Sequence, residues 1–306
     1  MFPGPCLQFT AGAWTRDTMV NITGLLSSLI TANHILSYHN VLDSFGHVSV
    51  RNPETNTTFF IALQLGPAII SGRADIGEYH ISDGSPLPGT KGGYSERFIH
   101  SEILKRYPDI NAVVHSHAED VLPFTILPDV AVEPTYHMAG FLGSAVPIFD
   151  IESAYQDGDA RDLLVDTVRL GSKLAERFGR NESRWQSPKH STVLQRGHGF
   201  VTVATSVQQV TDWAYYVASN ARVQWKAVVL AGAQQQSHGC GHGAGGMGVS
   251  ANKTTGVQYL SQRERLDTAE MNRWIVFKPW RQWVIEVERS GRYINELGTP
   301  PLGDGQ

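Results

Sequence analysis

The stretch Asn111-Ala112-Val113-Val114-His115-Ser116-His117 decides how this chain is read. Its apolar run follows the turn-forming pair Pro108-Asp109 and reads as a short buried strand. On a strand, side chains two residues apart point to the same face. His115 and His117 therefore project side by side, within reach of one divalent ion such as zinc. Taken alone, a His-X-His pair is weak evidence, and two polar residues at a strand end, bonded to water, is the favoured reading. The rest of the chain has to decide between these readings.

Two other stretches bear on it. Thr192-Val193-Leu194-Gln195-Arg196-Gly197-His198-Gly199-Phe200-Val201-Thr202-Val203 reads as strand, break and strand, with His198 between two glycines. Flanking glycines let the backbone bend sharply and aim the imidazole into a site. His198 is assigned as a third nitrogen donor. Three protein ligands with an open position is the layout of a catalytic zinc site, and the chain lacks the cysteines of a structural one. Upstream, Tyr94-Ser95-Glu96-Arg97-Phe98-Ile99-His100 opens a helix that Pro108 stops, with Ser95 as its cap. Glu96 suits the helix dipole there. It also shares a face with His100 at i+4, and the helix leads into the His115 strand. Its carboxylate could then ligate the ion or accept a proton.

Around these stretches the patterning is that of an ordinary globular chain. A helix is expected from about Thr23 to His39, with His34 and His39 at its surface or boundary. Phe45-Gly46-His47-Val48-Ser49-Val50-Arg51 alternates as a half-buried strand and pairs with a second near Thr58 to Leu63. Gly46 either admits a ligand to the backbone or only shapes the strand entry, and the second reading is preferred. Residues 82–93 are loop. Further helices are expected over Ala118–Ile126 and Asp159–Phe178, with a strand at Val146–Phe149 between them. Ser206 should cap a helix reaching about Leu230, with Trp213, Val217, Trp225 and Val228 facing inward. The aromatic residues Trp274, Phe277, Trp280 and Trp283 lie in a helical tail from Leu260 to Leu297, where packing is their expected role.

Composition bounds the function. With 306 residues and 41% hydrophobic content the chain can bury a large core. A net charge of -4 argues against nucleic acid or an anionic membrane as partner. No apolar run is long enough to span a bilayer, and the start does not read as a secretory signal. Cys6 and Cys240 lie far apart and imply no disulfide framework, which suits a cytoplasmic location. The expected organisation is a lead-in (1–18), a main domain (19–232), a flexible Gly/Ser/Gln/His-rich loop (233–256) and a C-terminal helical extension (257–306).

Together, Phe45 to Arg51, Ser95-Glu96 through His100, Ala112 to His117 and Arg196-Gly197-His198-Gly199 resemble the class II aldolase/adducin superfamily. The resemblance runs from about residue 20 to 232. It implies a three-layer α/β/α fold around a largely antiparallel sheet. It also implies an ion, usually zinc and sometimes manganese, held by His115, His117 and His198. Glu96 would be a fourth ligand or the acid/base. The implied assembly is a homotetramer with active sites at subunit interfaces. The Tyr94 to His100 stretch and His137-Met138-Ala139-Gly140-Phe141-Leu142-Gly143 are closer to the metal-dependent decarboxylase branch, exemplified by 3-hydroxy-2-methylpyridine-4,5-dicarboxylate 4-decarboxylase. The sugar-phosphate branch has an Asn where His47 stands, and its phosphate-cradling residues are largely replaced here. The run Ala62-Leu63-Gln64-Leu65 also lacks an arginine usual in the decarboxylase branch, leaving Arg73, Arg97 or a neighbouring subunit to serve.

The expected chemistry is carbon–carbon cleavage through a metal-stabilised enolate, with the ion as Lewis acid. Glu96, with His137 or Tyr136, would protonate the carbon. Gly46, His47, Tyr94, Arg97 and His100 would contact the small-molecule substrate. The aromatic residues Phe45, Tyr94, Phe98, Tyr136 and Phe141 suit a β-keto acid or an ortho-hydroxy (hetero)aromatic acid. Two other readings stand beside decarboxylation. One is an aldolase acting on a non-phosphorylated hydroxy-carbonyl substrate. The other is an adducin-like interaction module without catalysis.

Overall fold

The computed structural model describes residues 21–239 and 256–303. The lead-in with Cys6, and the part of the low-complexity segment holding Cys240 and His242, lie outside the described residues. Seven strands make one sheet: β1 (His47–Arg51), β2 (Thr58–Ala62), β3 (Ile76–His80), β4 (Ala112–Ser116), β5 (Ile148–Phe149), β6 (Thr192–Gln195) and β7 (Gly199–Ala204). Their spatial order is β3-β2-β1-β4-β7-β6-β5, and only the β5–β6 pair is parallel.

Helices cover both faces, which gives the three-layer α/β/α architecture. On one face, α1 (Ile22–Tyr38) and the long α5 (Val207–Gly239) bury Leu29, Ile30 and Val217 against Val48, Val114 and Phe200. On the other, α2 (Arg97–Arg106) and α4 (Val168–Arg177) bury Ile99, Ile103 and Leu174 against Val113, Val193 and Val201. A one-turn helix, α3 (Leu122–Ile126), follows β4 and replaces the longer Ala118–Ile126 helix of the sequence reading.

Double coverage corrects the reading of β1 as half-buried. All five of its residues are buried. The polar ones face the α2 layer, where partners hold them. Ser49 meets His100, and the Arg51 guanidinium donates to the carbonyls of Leu104, Ile110 and Asn56. His34 is likewise not at the surface. Its Nε2 lies 2.7 Å from the Ile70 carbonyl, and burial lowers its pKa to about 4. Strand β3, with a glycine inside five residues, is a weak pattern that the sequence reading passed over.

Four helix boundaries differ from expectation. Helix α2 begins at Arg97, so Glu96 rather than Ser95 holds the N-cap position, and its side chain caps nothing. Helix α4 begins only at Val168, because Thr167 caps it and Leu163 adopts φ +69°. Residues 159–166 thus run as loop. Helix α5 continues past Leu230 to Gly239, taking in the start of the segment expected to be loop. From residue 225 to 234 it is not buried, and Trp225 remains 40% exposed. The tail is two helices, α6 (Gln262–Ile275) and α7 (Phe277–Arg289), rather than one.

The return from α7 closes over α1. Ser27 Oγ donates to the Gly298 carbonyl, and Asn295 donates to Thr31 Oγ1 and the Ser27 carbonyl. Trp280 and Trp283 are buried in the core that α1 and α5 share with the sheet, whereas Trp274 is 78% exposed. Trp280 is 1% exposed and its indole N–H donates to the Pro301 carbonyl. Trp280→Ala should therefore cost about 3–5 kcal/mol. Denaturant unfolding checks this, and a loss below about 1 kcal/mol would show that the extension is not part of the core.

Candidate metal centre

Strand β4 delivers His115 to the α2 face of the sheet, and His117 follows one residue beyond its end. Their Nε2 atoms are 2.9 Å apart. Gly197, at φ +65°, turns the chain between β6 and β7 and brings His198 beside them. Gly199 then passes so close to β4 that a Cβ there would stand 2.1 Å from the Ser116 carbonyl oxygen. Glu96 comes from the loop before α2. Its Oε2 is 3.5 Å from His115 Nε2 and 3.6 Å from His198 Nε2. Glu96, His115, His117 and His198 each offer a donor atom, all within 4.8 Å of one another.

The far sides of two imidazoles fix their tautomers. His115 Nδ1 lies 3.2 Å from the Phe200 carbonyl oxygen, and His117 Nδ1 lies 3.1 Å from Asp43 Oδ2. Neither oxygen has a proton to give, so both Nδ1 atoms carry one and donate it. Both Nε2 lone pairs then face each other across 2.9 Å. A divalent cation between them turns that repulsion into ligation. Separations of 2.9–3.6 Å approach the edge of a tetrahedron with ~2.1 Å bonds, about 3.4 Å. The donor set fits zinc or a similar ion.

Burial governs the charges here. Glu96 is buried, and desolvation lifts its pKa to about 7, opposed by the Val165 N–H that donates to Oε1 at 2.9 Å. Desolvation lowers His198 to about 4, and the nearby charge of His117 adds to the effect. His115 is pushed well below the usual imidazole range by burial and by its imidazole neighbours. Neutral imidazoles are the form that binds metal.

The cluster opens into a cleft of about 540 Å³, whose lining includes Phe45, His47, Leu65, Tyr94, Ser95 and Leu164. Among the described residues, no lysine or arginine lines it. Of the expected substrate contacts, His47 and Tyr94 reach the cleft. Tyr94 spends its hydroxyl on the Leu65 carbonyl. His100 sits behind His47 rather than at the surface of the cleft, with its Nε2 2.7 Å from His47 Nδ1. Gly46 does not line the cleft. A Cβ there would meet Leu42 at 2.6 Å and the His115 carbonyl at 3.1 Å, so its part is to seat β1 beside β4.

The structure turns Arg97 away from the cleft. Its guanidinium donates to the Gly84 and Tyr94 carbonyls and lies over the Phe98 ring. Arg73 donates to the Ile76 carbonyl. Tyr136 and His137 do not join the cluster within one chain. The Tyr136 hydroxyl donates to Ser219 on α5, and His137 is exposed. Phe98 and Phe141 also lie off the cleft, the latter stacked on Trp213. Sequence reasoning missed Asp43, whose local signal is an Asx turn onto the Phe45 and Gly46 N–H groups. It also missed the Val165 backbone, which left no sequence signal.

The family described as Class II Aldolase and Adducin N-terminal domain matches residues 27–225. The chain belongs to the class II aldolase/adducin family. Its relatives include "Decarboxylase tropJ" from Talaromyces stipitatus, 42% identical over 88% of this chain and 96% of that protein. A "3,4-dihydroxyphthalate decarboxylase" from Arthrobacter keyseri is 28% identical over 69% of this chain and 81% of its own length. Among solved structures, an aldolase II superfamily protein from Pseudomonas syringae superposes with a TM-score of 0.63 at 20% identity. That match covers 90% of this chain and 97% of the other. It shows that the class II aldolase fold is shared.

Within this class II aldolase domain, metal retention should follow the ligands and the carboxylate behind them. His115→Ala, His117→Ala and His198→Ala should each lower bound zinc from about one ion per chain to well under half, with unchanged circular dichroism. Asp43→Ala should weaken zinc about ten- to a hundredfold by freeing the His117 ring. Mass-spectrometric metal analysis after dialysis checks both. Wild-type content in any of the three histidine variants would remove that residue from the ligand set.

Proposed function

We propose that this chain is a metal-dependent decarboxylase of an ortho-hydroxy aromatic or heteroaromatic acid. The observation that carries the reading is the 42% identity to a decarboxylase across 96% of its length. Relatives named for 3,4-dihydroxyphthalate, an aromatic acid with adjacent hydroxyls, point to the substrate class. The cleft supports it. Phe45, Leu65, Tyr94 and Leu164 offer a flat apolar lining, and the absence of a lining cation among the described residues disfavours a phosphorylated sugar.

In this reading His115, His117 and His198 hold the ion, zinc or alternatively manganese. When bound, it supplies the Lewis acid that draws off the electrons released by the breaking bond. Glu96 does the proton work. Glu96 Oε2 first gives its proton to the ring carbon that bears the carboxylate, and the neighbouring phenolate becomes a ketone; the carboxylate then leaves as carbon dioxide, its bonding pair re-forms the ring double bond and the ketone returns to phenolate. Water then restores the proton. The Val165 N–H holds the other carboxyl oxygen, so Glu96 keeps one orientation through the cycle. The homotetramer implied by family likeness extends the reading. Tyr136 and His137, which do not line their own cleft, then serve a neighbouring subunit's site. No helix among the described residues is long and apolar enough to cross a membrane, and we assign the protein to the cytoplasm.

A panel assay with metal-loaded enzyme tests the proposal. Carbon dioxide and aldehyde release are followed in parallel on 3,4-dihydroxyphthalate, 2,3-dihydroxybenzoate and fuculose 1-phosphate. Carbon dioxide from an ortho-hydroxy acid is expected. Aldehyde without carbon dioxide, or activity confined to the sugar phosphate, would overturn the reading. Glu96→Gln should retain metal and lose turnover by about a hundredfold or more.

A further inference from the structure

Among the described residues no arginine or lysine lines the cleft, yet the proposed substrate is an acid. Two buried polar atoms of residues lining the cleft have no partner, His198 Nδ1 and His47 Nε2, and of these two residues only His47 is outside the metal-ligand set. His47 is 1% exposed, lines the cleft, and packs between the rings of Tyr94 at 4.6 Å and His115 at 5.0 Å. Behind it runs a chain of short contacts. His47 Nδ1 is 2.7 Å from His100 Nε2, and His100 Nδ1 is 2.6 Å from Ser49 Oγ. All three residues are buried.

We propose that Ser49, His100 and His47 form a directed relay of hydrogen bonds that fixes His47 Nε2–H as the cleft's donor to a substrate carboxylate. A chain of two neutral imidazoles and one hydroxyl can point either way. The hydroxyl decides. Ser49 Oγ has no other hydrogen-bond partner among the described residues. If His100 donated to Ser49, the serine proton would be buried with nothing to accept it, an arrangement that carries the full desolvation penalty. Ser49 therefore donates to His100 Nδ1. His100 then holds its proton on Nε2 and donates to His47 Nδ1. His47 is left with its proton on Nε2, and that N–H is the unpartnered group. Deep burial, which pushes both imidazoles well toward the neutral form, agrees with this.

The consequence is specific. A nitrogen that carries a proton cannot ligate the ion, so His47 stands beside the metal centre without joining it. A neutral N–H favours an oxygen acceptor over a donor and exerts far less pull on a dianionic phosphate than a guanidinium does. It suits a carboxylate oxygen that the ion does not hold. Naming the carboxylate rests on the decarboxylase reading, whereas the direction of the relay does not.

The test separates the two. Zinc-loaded protein labelled with ¹⁵N-histidine is examined by magic-angle-spinning NMR, and the His47 signals are identified by their loss in His47→Gln. His47 should show a protonated Nε2 and a bare Nδ1, and His100 the same pattern. A bare Nε2 on His47 would overturn the proposal. Ser49→Ala removes the group that sets direction, so a bare-Nε2 population should appear on His47. An unchanged His47 spectrum in Ser49→Ala would overturn the role of Ser49, whereas a merely space-filling serine would leave it unchanged. Binding then reads the partner. His47→Leu should weaken 3,4-dihydroxyphthalate about ten- to a hundredfold, and His47→Gln, which keeps an N–H, should stay within about threefold of wild type. Catechol, which lacks carboxylates, should change by less than about twofold in either variant. Equal weakening of catechol would overturn the carboxylate assignment. If no acid is decarboxylated while the NMR pattern holds, the relay stands and the decarboxylase reading falls.

Discussion

Two imidazole lone pairs held face to face are the constraint on which the rest of this structure depends. His115 and His117 have each committed the opposite ring proton to an oxygen, and their Nε2 atoms meet at 2.9 Å. That arrangement is unfavourable without a cation and favourable with one. Much of the surrounding fold serves to impose it. Pairing of β4 with β7 brings the Phe200 carbonyl to His115, and the glycine at 199 permits the close approach of the two strands. Pairing of β1 with β4 sets His47 opposite His115, with Gly46 admitting the His115 backbone.

The same burial that creates the metal centre shapes its chemistry. Glu96 stands at the start of α2 but gives the helix no cap, since its carboxyl is held instead by the Val165 N–H. A carboxyl so enclosed gains a proton easily, which suits the proton donor we propose it to be. Apart from the clustered histidines, the described lining of the cleft offers apolar surface, hydroxyls and the His47 imidazole rather than fixed positive charge.

The clustering of the three histidines was legible in the sequence because its geometry is local. Spacing of two on a strand puts His115 and His117 on one face, and paired glycines mark His198 as the tip of a sharp turn. The layering was also legible once strands and helices alternated as they do. What escaped was set by distant contacts. The loop at 159–166 carries helix-like periodicity through Leu163 and Leu164, but Thr167 caps the helix later and the loop is spent on Glu96. Alternation in β1 suggested a solvent face, yet the polar residues point into a second helix layer that only tertiary structure supplies. The link from Ser49 through His100 to His47 joins a strand to a helix about fifty residues away, as hydrogen-bond partners 51 and 53 residues apart. Arg97, near the site in sequence, is spent on the Gly84 and Tyr94 carbonyls.

The account stands most directly on what the facing imidazoles hold. X-ray absorption at the zinc edge of reconstituted wild-type protein reads that coordination shell. Three imidazole nitrogens and one or two oxygens at about 2.0–2.2 Å are expected, with no sulfur. A shell containing sulfur, fewer than three imidazoles, or protein that takes up no zinc or manganese at all would contradict it.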